Sequence, residues 1–370
     1  AKEINAEAIH PGYGFLAENG EFAALCEKSG IAFIGPTPEN MRLAGDKLKA
    51  RQTVAAAGVP IVPGSDQGFS SLEETIETCA AIGYPLMLKA SAGGGGRGMR
   101  ILKSEQDLKE DFAMAAAEAR AAFGDPTLYV EKYILHPRHI EVQILSDGKG
   151  DAVHLFERNC SVQRRHQKLI EEAPSPDLLP EVRQAIHASA VKIAKAIGYR
   201  NAGTVEFLLD ADNQFYFMEL NARIQVEHPV TEMITGRDLV KAQLSIAMGN
   251  GIGFRQADIQ QQGHAIECRI NAEDPSMDFV PSPGTIETYR SPGGFGVRMD
   301  THLYSGYEIP IYYDSVLGKL IAWGSNRSEA TRIMQRALLE LTIEPVKTTK
   351  PFLLQVIQHD EFVSGRYDLD

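Results

Sequence analysis

Cysteine is scarce in this 370-residue chain, and the four present, Cys26, Cys79, Cys160 and Cys268, lie far apart with no pair at metal-ligand spacing. That argues against a cysteine-built zinc site or a disulfide-stapled scaffold, and fits free thiols in a reducing compartment, with a cytoplasmic location expected. Long apolar runs are missing too: no stretch approaches a membrane span, and no signal peptide opens the chain. Positive charge is short, 37 Lys and Arg against 49 Asp and Glu, for a net charge of -12. A broad nucleic-acid or anionic-membrane surface is thereby disfavoured, and any basic cluster must be local and specific. An initiator Met is absent as well, so Ala1-Lys-Glu-Ile-Asn5 reads as the start of a fragment that begins inside a domain.

What is present is ordinary for a globular chain able to bury real cores, 44% apolar and 23% charged, at a length suggesting two or three domains. One stretch stands out: Glu219-Leu-Asn-Ala-Arg-Ile-Gln-Val-Glu-His-Pro229. If extended, it turns Glu219, Asn221, Arg223, Gln225 and Glu227 one way and Leu220, Ala222, Ile224 and Val226 the other. Carboxylates, amides and a guanidinium on one face suit hard cations and planar oxyanions. Upstream, residues 204–210 and 214–219 read as a hairpin that sets Glu206 beside Glu219, where two carboxylates repel unless a cation intervenes. Mg²⁺ takes one or two protein carboxylates and leaves its other positions to water and phosphates, so Glu206, Glu219 and the adjacent Asn221 form a candidate metal–nucleotide site.

Residues 6–45 alternate short apolar strands with helical stretches, as the tail of an α/β unit does. The loop His10-Pro-Gly-Tyr-Gly-Phe-Leu16 holds a His and an aromatic that could face a ligand. Gly45-Asp-Lys47 opens a helix through about residue 57; alone, Lys47 reads more as a surface lysine than as a phosphate ligand. A strand ending at Lys89 then runs into Gly93, Gly94, Gly95 and Gly96, and another apolar run covers 99–102. Strand, glycine loop, strand is the arrangement of a mobile flap over a nucleotide; a Walker loop or a dinucleotide fingerprint needs a helix next. Ser104 caps a helix to Phe123, with Asp107 three residues on. Residues 129–134 and 139–144 read as strands, with Glu131, Lys132, Tyr133 and Ile134 a candidate purine edge and His139 its partner. Three cations and His166 crowd the five positions from Arg164 to Lys168, and the acids of Leu169-Ile-Glu-Glu-Ala-Pro174 are expected to hold them as an anion site for phosphate or bicarbonate. Residues 180–197 and 238–248 read as helices. From Gly263, short strands and Pro/Gly-rich turns suggest a β-rich terminal subdomain followed by a helix over 328–341, with Arg298 beyond a tight Gly turn open to a site role.

Together, several motifs closely resemble biotin carboxylase, the ATP-grasp component of biotin-dependent carboxylases. They are His10 to Leu16, Gly45-Asp-Lys47, Lys89 to Met99, Pro137-Arg-His-Ile-Glu-Val-Gln143, Gln163-Arg-Arg-His-Gln-Lys168, Arg223-Ile-Gln-Val-Glu-His-Pro-Val-Thr-Glu-Met233, Gly263-His-Ala-Ile-Glu-Cys-Arg-Ile-Asn-Ala-Glu-Asp274, Pro292-Gly-Gly-Phe-Gly-Val-Arg298 and Tyr313-Asp-Ser315, in family order over nearly the whole chain. The resemblance implies an α/β (α+β) ATP-grasp fold with a mobile glycine-rich lid. Residues 1–45 would be the remnant of a truncated N-terminal α/β domain, 46–262 the ATP-grasp domain with its lid at about 62–134, and 263–370 the β-rich C-terminal domain.

It implies a reaction as well. Bicarbonate attacks the γ-phosphate of ATP complexed with Mg²⁺ or Mn²⁺; the carboxyphosphate formed yields CO₂, which the ureido nitrogen of carrier-bound biotin captures. Carried over residue by residue, Lys47, Lys89, Gly93 to Gly96, Glu131 to Ile134, His139, Gln163 and His166 would hold ATP, and Glu206, Glu219 and Asn221 the metal. Lys168, Arg223, Gln225 and Val226 would surround bicarbonate, Glu227 would be the general base, Arg298 would stabilise the biotin enolate and Tyr13 would lie beside biotin. The implied partners are a biotin carboxyl carrier protein, a carboxyltransferase component and a second copy of the chain in a homodimer, with no nucleic acid or membrane. His228-Pro-Val-Thr231 and Glu171-Glu-Ala-Pro174 lean toward the acyl-CoA (acetyl-CoA type) branch rather than the pyruvate one. Two other readings stand beside this: another ATP-grasp ligase, of carbamoyl-phosphate or purine-pathway type, and a nucleotide-binding module without catalysis.

Overall fold

A computed structural model describes residues 1–91 and 99–370. The glycine loop 93–96, expected to form the flap, lies outside the described residues. The organising element is one eight-stranded sheet of β1 (Arg138–Asp147), β2 (Ala152–Arg164), β3 (Gln167–Ala173), β4 (Arg200–Leu209), β5 (Phe215–Asn221), β6 (His264–Asn271), β7 (Val297–Thr301) and β8 (Val316–Gly324). The spatial order is β5-β4-β1-β2-β3-β6-β8-β7, and every neighbouring pair is antiparallel. The β3–β6 ladder joins residues 170–173 to 265–268, so the sheet runs unbroken past residue 262. Each of these strands would otherwise present an open edge, and pairing satisfies its backbone N–H and C=O groups.

Alternation along β1 turns Ile140, Val142 and Ile144 into a core with the helix Pro180–Ala196, which contributes Ile186, Ala190 and Ile193. That helix opens with Pro in its first turn and is followed by Gly198 at φ 56, as the sequence suggested. At the other end of the sheet, Ile266, Cys268 and Ile270 of β6 pack with Leu320 of β8 and the helix Arg327–Glu340. A separate three-stranded sheet, with Leu86–Ala90 between Arg100–Leu102 and Leu128–Lys132, carries the helices Leu72–Ile82 and Glu105–Phe123 on its own core of Leu88, Leu102, Leu108 and Phe112. The expected cap is in place there: Ser104 and Asp107 form a reciprocal capping box. Residues Ala8–Ile9 and Ala32–Phe33 make a short parallel pair near the start. Among the described residues no helix is long and apolar enough to cross a membrane.

The stretch 219–229 departs from the extended reading. β5 stops at Asn221 after a bulge between Phe217 and Glu219, and residues 222–227 form a loop before the helix His228–Thr235. Pro229 fixes where the helix begins, since its φ suits the first helical turn and its missing N–H is not needed there. Leu220, Ala222 and Ile224 are nonetheless buried.

Candidate active site

The residues of β1 that alternate with its core-facing side chains are His139, Glu141 and Gln143. Register sets Glu141 opposite both Arg158 on β2 and Glu206 on β4, and Glu206 opposite Glu219 on β5, the juxtaposition the hairpin reading expected. Charge therefore accumulates across four adjacent strands.

Lys168, near the start of β3, is the hub. Its Nζ donates to Glu141 Oε2 at 2.5 Å, Glu206 Oε1 at 2.9 Å and Glu227 Oε1 at 2.8 Å. Burial opposes its charge, but the three carboxylates hold the ammonium well above its ordinary pKa. Glu227 immediately precedes the helix His228–Thr235 without capping it and is fully buried; its second oxygen accepts from Arg269 Nη2 at 2.8 Å. Burial pushes against ionisation there too, yet Lys168, Arg269 and Arg158 keep the Glu227 carboxyl well below the usual range. Glu206 is likewise depressed: Lys168 and His139, whose Nε2 lies 3.1 Å away, outweigh its burial. Glu141 goes the other way, raised by burial despite Lys168 and Arg158. Arg158 is fully buried and fully used, donating to Glu141 at 2.5 Å, Gln143 at 2.8 Å, Thr231 at 3.0 Å and Thr204 at 3.1 Å.

Beyond β5 the loop places Arg223 between Glu18, whose Oε2 accepts from Nε at 2.9 Å, and Gln225, whose Oε1 accepts from Nη1 at 2.9 Å. Glu18 also accepts from the Ala222 N–H at 2.9 Å, which fixes the loop backbone. Gln225 Nε2 and Asn221 Nδ2 are buried amide donors with no acceptor among the described residues. Two such donors beside a guanidinium suit an anion, since an unpaired buried N–H costs about 1–3 kcal/mol. The Val226 carbonyl is already taken by Lys319 Nζ at 2.9 Å.

The residues read as nucleotide ligands fall into two groups. Lys47 begins the helix Lys47–Ala56, capped by Asp46, with Nζ 3.8 Å from Glu219. Lys89 sits on Leu86–Ala90 and pairs with Glu131, which Arg51 also holds. His139 Nδ1 meets Gln163 Nε2 at 3.0 Å. The purine edge is narrower than expected: the Lys132 N–H donates to Pro63 O at 2.7 Å and that of Tyr133 to Pro85 O at 3.1 Å, while Lys132 Nζ is spent on Gly83 O at 2.8 Å. The basic run 164–168 does not form one anion site. Arg165 and His166 are the exposed, left-handed turn between β2 and β3, and Asp278, not the acids of 169–174, takes Arg164 and Arg165 at 2.6 and 2.8 Å. Only Lys168 points inward, because a hairpin turn throws its tip residues away from the sheet while the strands carry theirs across it.

Arg298 is also placed differently from the expectation. It is bound by Asp300 at 2.7 Å and Glu232 at 2.7 Å, and makes no hydrogen bond to Glu227. The guanidinium at Glu227 is that of Arg269, anchored through Nε to Glu171 at 2.6 Å. Tyr13 lies over Lys319, whose Nζ is 5.6 Å from the ring centroid. Arg269, Glu171, Glu141, Arg158 and Glu18 were missed as site residues. Strand alternation carried a signal for Glu141 on His139-Ile-Glu-Val-Gln143; nothing local marked Glu18, which lies 205 positions from Arg223.

The comparisons with known proteins agree along the length of the chain. Residues 1–41 match the family described as biotin carboxylase, N-terminal domain; 46–254 the carbamoyl-phosphate synthase L chain, ATP binding domain; and 267–370 the biotin carboxylase C-terminal domain. Biotin carboxylase 1 of Bacillus subtilis is 52% identical, over 100% of this chain and 82% of its own length. Pyruvate carboxylase of the same organism is 51% identical, over 100% of this chain and 33% of its own, much longer, length. A solved structure, the biotin carboxylase domain dimer of Hydrogenobacter thermophilus 2-oxoglutarate carboxylase with MgADP, ADP and bicarbonate, superposes with a TM-score of 0.97 at 52% identity, covering all of this chain and 82% of that one. This ATP-grasp chain, with its central charged row, belongs to the biotin carboxylase family, the ATP-dependent ligases that carry out the bicarbonate-dependent carboxylation step of biotin-dependent carboxylases.

Proposed function

We propose that the chain activates bicarbonate in the cleft bounded by Lys168, Arg223, Gln225 and Glu227, and transfers the carboxyl group to biotin borne on a carrier protein. The observation that carries the reading is the single ammonium of Lys168 joined to both Glu206 and Glu227. It ties a candidate metal ligand to a candidate base within one side chain's reach.

Glu206, Glu219 and Asn221 fit a magnesium ion: their side-chain oxygens are hard donors on adjacent strands, and among the described residues Glu219 pairs only with Lys47, at 3.8 Å. An ion bound there would offset phosphate charge, the main demand of phosphoryl transfer. Lys47 and Lys89 add positive charge on the nucleotide side. Arg223 offers bicarbonate a planar fork and Gln225 Nε2 an unspent donor. Glu227, held ionised, is ready to take the bicarbonate proton as a bicarbonate oxygen attacks the γ-phosphorus and the bond to ADP breaks. An anion arriving at Lys168 takes a share of its charge, and Glu227 becomes the stronger base. Arg269, in contact with Glu227, is the cation set beside the base and available to an oxyanion forming on biotin, whereas Arg298 is bound to Asp300 and Glu232 and does not meet Glu227. A homodimer, a carrier protein and a carboxyltransferase component belong to the same proposal, and the dimeric relative supports the first of them. The leaning toward the acyl-CoA branch gains nothing from identity, since a biotin carboxylase and a pyruvate carboxylase of one organism stand at 52% and 51%.

The test is phosphate release from Mg-ATP with bicarbonate, with and without free biotin. Release that requires bicarbonate and rises with biotin is expected; release indifferent to bicarbonate overturns the proposal.

A further inference from the structure

Beside Arg269, two carboxyl groups face each other across the β3–β6 ladder. Glu267 on β6 is the register partner of Glu171 on β3, and both are 0% exposed. Directly opposed residues on antiparallel strands have Cβ atoms about 5 Å apart. Glu171 spends one oxygen on Arg269 Nε at 2.6 Å; its other oxygen and both oxygens of Glu267 have no hydrogen-bond partner among the described residues. The charged and titratable groups that act on the pair are Arg269, Lys319 on β8, Lys168 on β3, Glu227 at the start of the covering helix, and the buried thiols Cys268 and Cys160. The closest cations are otherwise engaged: Lys319 Nζ donates to Val226 O at 2.9 Å and Lys168 to three other carboxylates. His228 is neutral, its pKa lowered to about 3 by burial and by Lys319. Two bare carboxylates buried side by side with three unmatched acceptors would be very costly, whereas one proton between them turns two of those oxygens into a donor and its acceptor.

We propose that Glu267 and Glu171 share a single proton and act as a positioning pair for Arg269, fixing its guanidinium against Glu227. Burial agrees with this, lifting Glu171 to about 7 in spite of Arg269 and lifting Glu267 well above the ordinary carboxyl range. Glu267 carries the proton, since neither of its oxygens meets a cation directly; Glu171 stays the anion that Arg269 requires. Neither residue touches substrate. Arg269 does not release a proton, so the pair is no relay; it sets where the guanidinium points and how much of its charge is left for the reacting side. Three carboxyl groups act on Arg269, Glu171 and Glu227 by direct contact and Glu267 through its charge, and without the shared proton Glu171 and Glu267 together would draw it away from Glu227.

This inference rests on the proposed roles of Glu227 and Arg269, and it is tested by two independent readouts on the full chain. The first is infrared: the carbonyl stretch of a protonated carboxylic acid, seen as a wild-type minus variant difference at pH 8, is expected for Glu267→Gln and, because the partners share one proton, also for Glu171→Gln. The second is steady-state kinetics. Glu267→Gln, which keeps a neutral donor in the same shape, is expected to hold kcat near wild type, whereas Glu267→Leu and Glu171→Gln lower kcat by roughly 10- to 100-fold with the KM for ATP unchanged. Absence of the band in both difference spectra overturns the shared proton, and equal damage from Glu267→Gln and Glu267→Leu overturns the positioning role. If one Gln variant fails to fold, the spectrum of the other decides. Should Glu227→Gln keep full turnover, the reading of the site fails while the infrared result on the pair stands on its own.

Discussion

Lys168 Nζ lies 2.8 Å from Glu227 Oε1 and 2.9 Å from Glu206 Oε1, so one ammonium spans the candidate base and the candidate metal ligand. An ion bound at Glu206 and an anion bound near Glu227 must both draw on that side chain, which makes the two sites parts of one electrostatic balance. The consequences can be measured separately.

Glu227→Gln keeps the shape of the side chain and removes its proton-accepting ability. Turnover in biotin-dependent ATP cleavage is expected to fall about 10²- to 10⁴-fold with nucleotide affinity unchanged, as measured by steady-state phosphate release and ADP titration. Turnover close to wild type would remove Glu227 as the base.

Arg269→Met and Arg298→Met distinguish two guanidiniums, of which the sequence reading chose Arg298. Arg269 is enclosed by Glu171 and Glu227, both fully buried, and its loss strands two carboxylates at a cost of roughly 3–5 kcal/mol. The Arg298 side chain is 32% exposed, so its ion pairs are partly screened and the stability cost is smaller. Denaturant unfolding and kcat should both place Arg269→Met below Arg298→Met; the reverse order would restore the sequence-based choice.

Arg223→Lys exchanges a fork for a point charge. The bicarbonate KM is expected to rise roughly tenfold with the KM for ATP little changed. A smaller loss is expected for Glu18→Gln, which loosens the grip on Arg223 Nε without removing the donors. An unchanged bicarbonate KM in Arg223→Lys would move the anion elsewhere.

Two groups should each lose their contribution to stability in acid, over different pH windows. His154, stacked on His187 at 4.2 Å, is lowered from 6.5 to about 4 by burial and by His187; the folded state thus binds the proton less readily than the unfolded chain. Its contribution is full above pH 6.5 and is lost as the pH falls toward 4, up to roughly 3 kcal/mol. Glu172 keeps its charge in spite of burial because His264 and Arg327 pull it from 4.5 to about 2, so its contribution is full above pH 4.5 and is lost toward 2. In His154→Phe, stability measured between pH 6.5 and 4 should depend less on pH; an unaltered slope would refute the assignment.

Much of the fold was legible in the sequence because local chemistry marked it. Ser104 and Asp107 announced a helix start, Pro180 and Gly198 bracketed another helix, and the 204–219 hairpin brought Glu206 to Glu219 in the expected register. What escaped depends on distant pairing. That β3 and β6 share a ladder cannot be seen in either strand alone, and this pairing brings Arg269 to Glu227. The run 164–168 misled because composition counts charges without regard to a turn that points most of them outward. The alternation of 219–229 ended early because the chain leaves the sheet after Asn221, where the distant Glu18 takes the Ala222 N–H, and Pro229 then opens a helix.

The ladder between β3 and β6 has a mechanical corollary. Lys168, Glu206 and Glu219 stand on strands from before residue 222 and Arg269 on a strand from after 263, yet a continuous row of backbone hydrogen bonds stitches those strands into one plate. The floor of the cleft cannot hinge along that seam, and a protease nick in the connector between the two stretches should leave fragments that elute together.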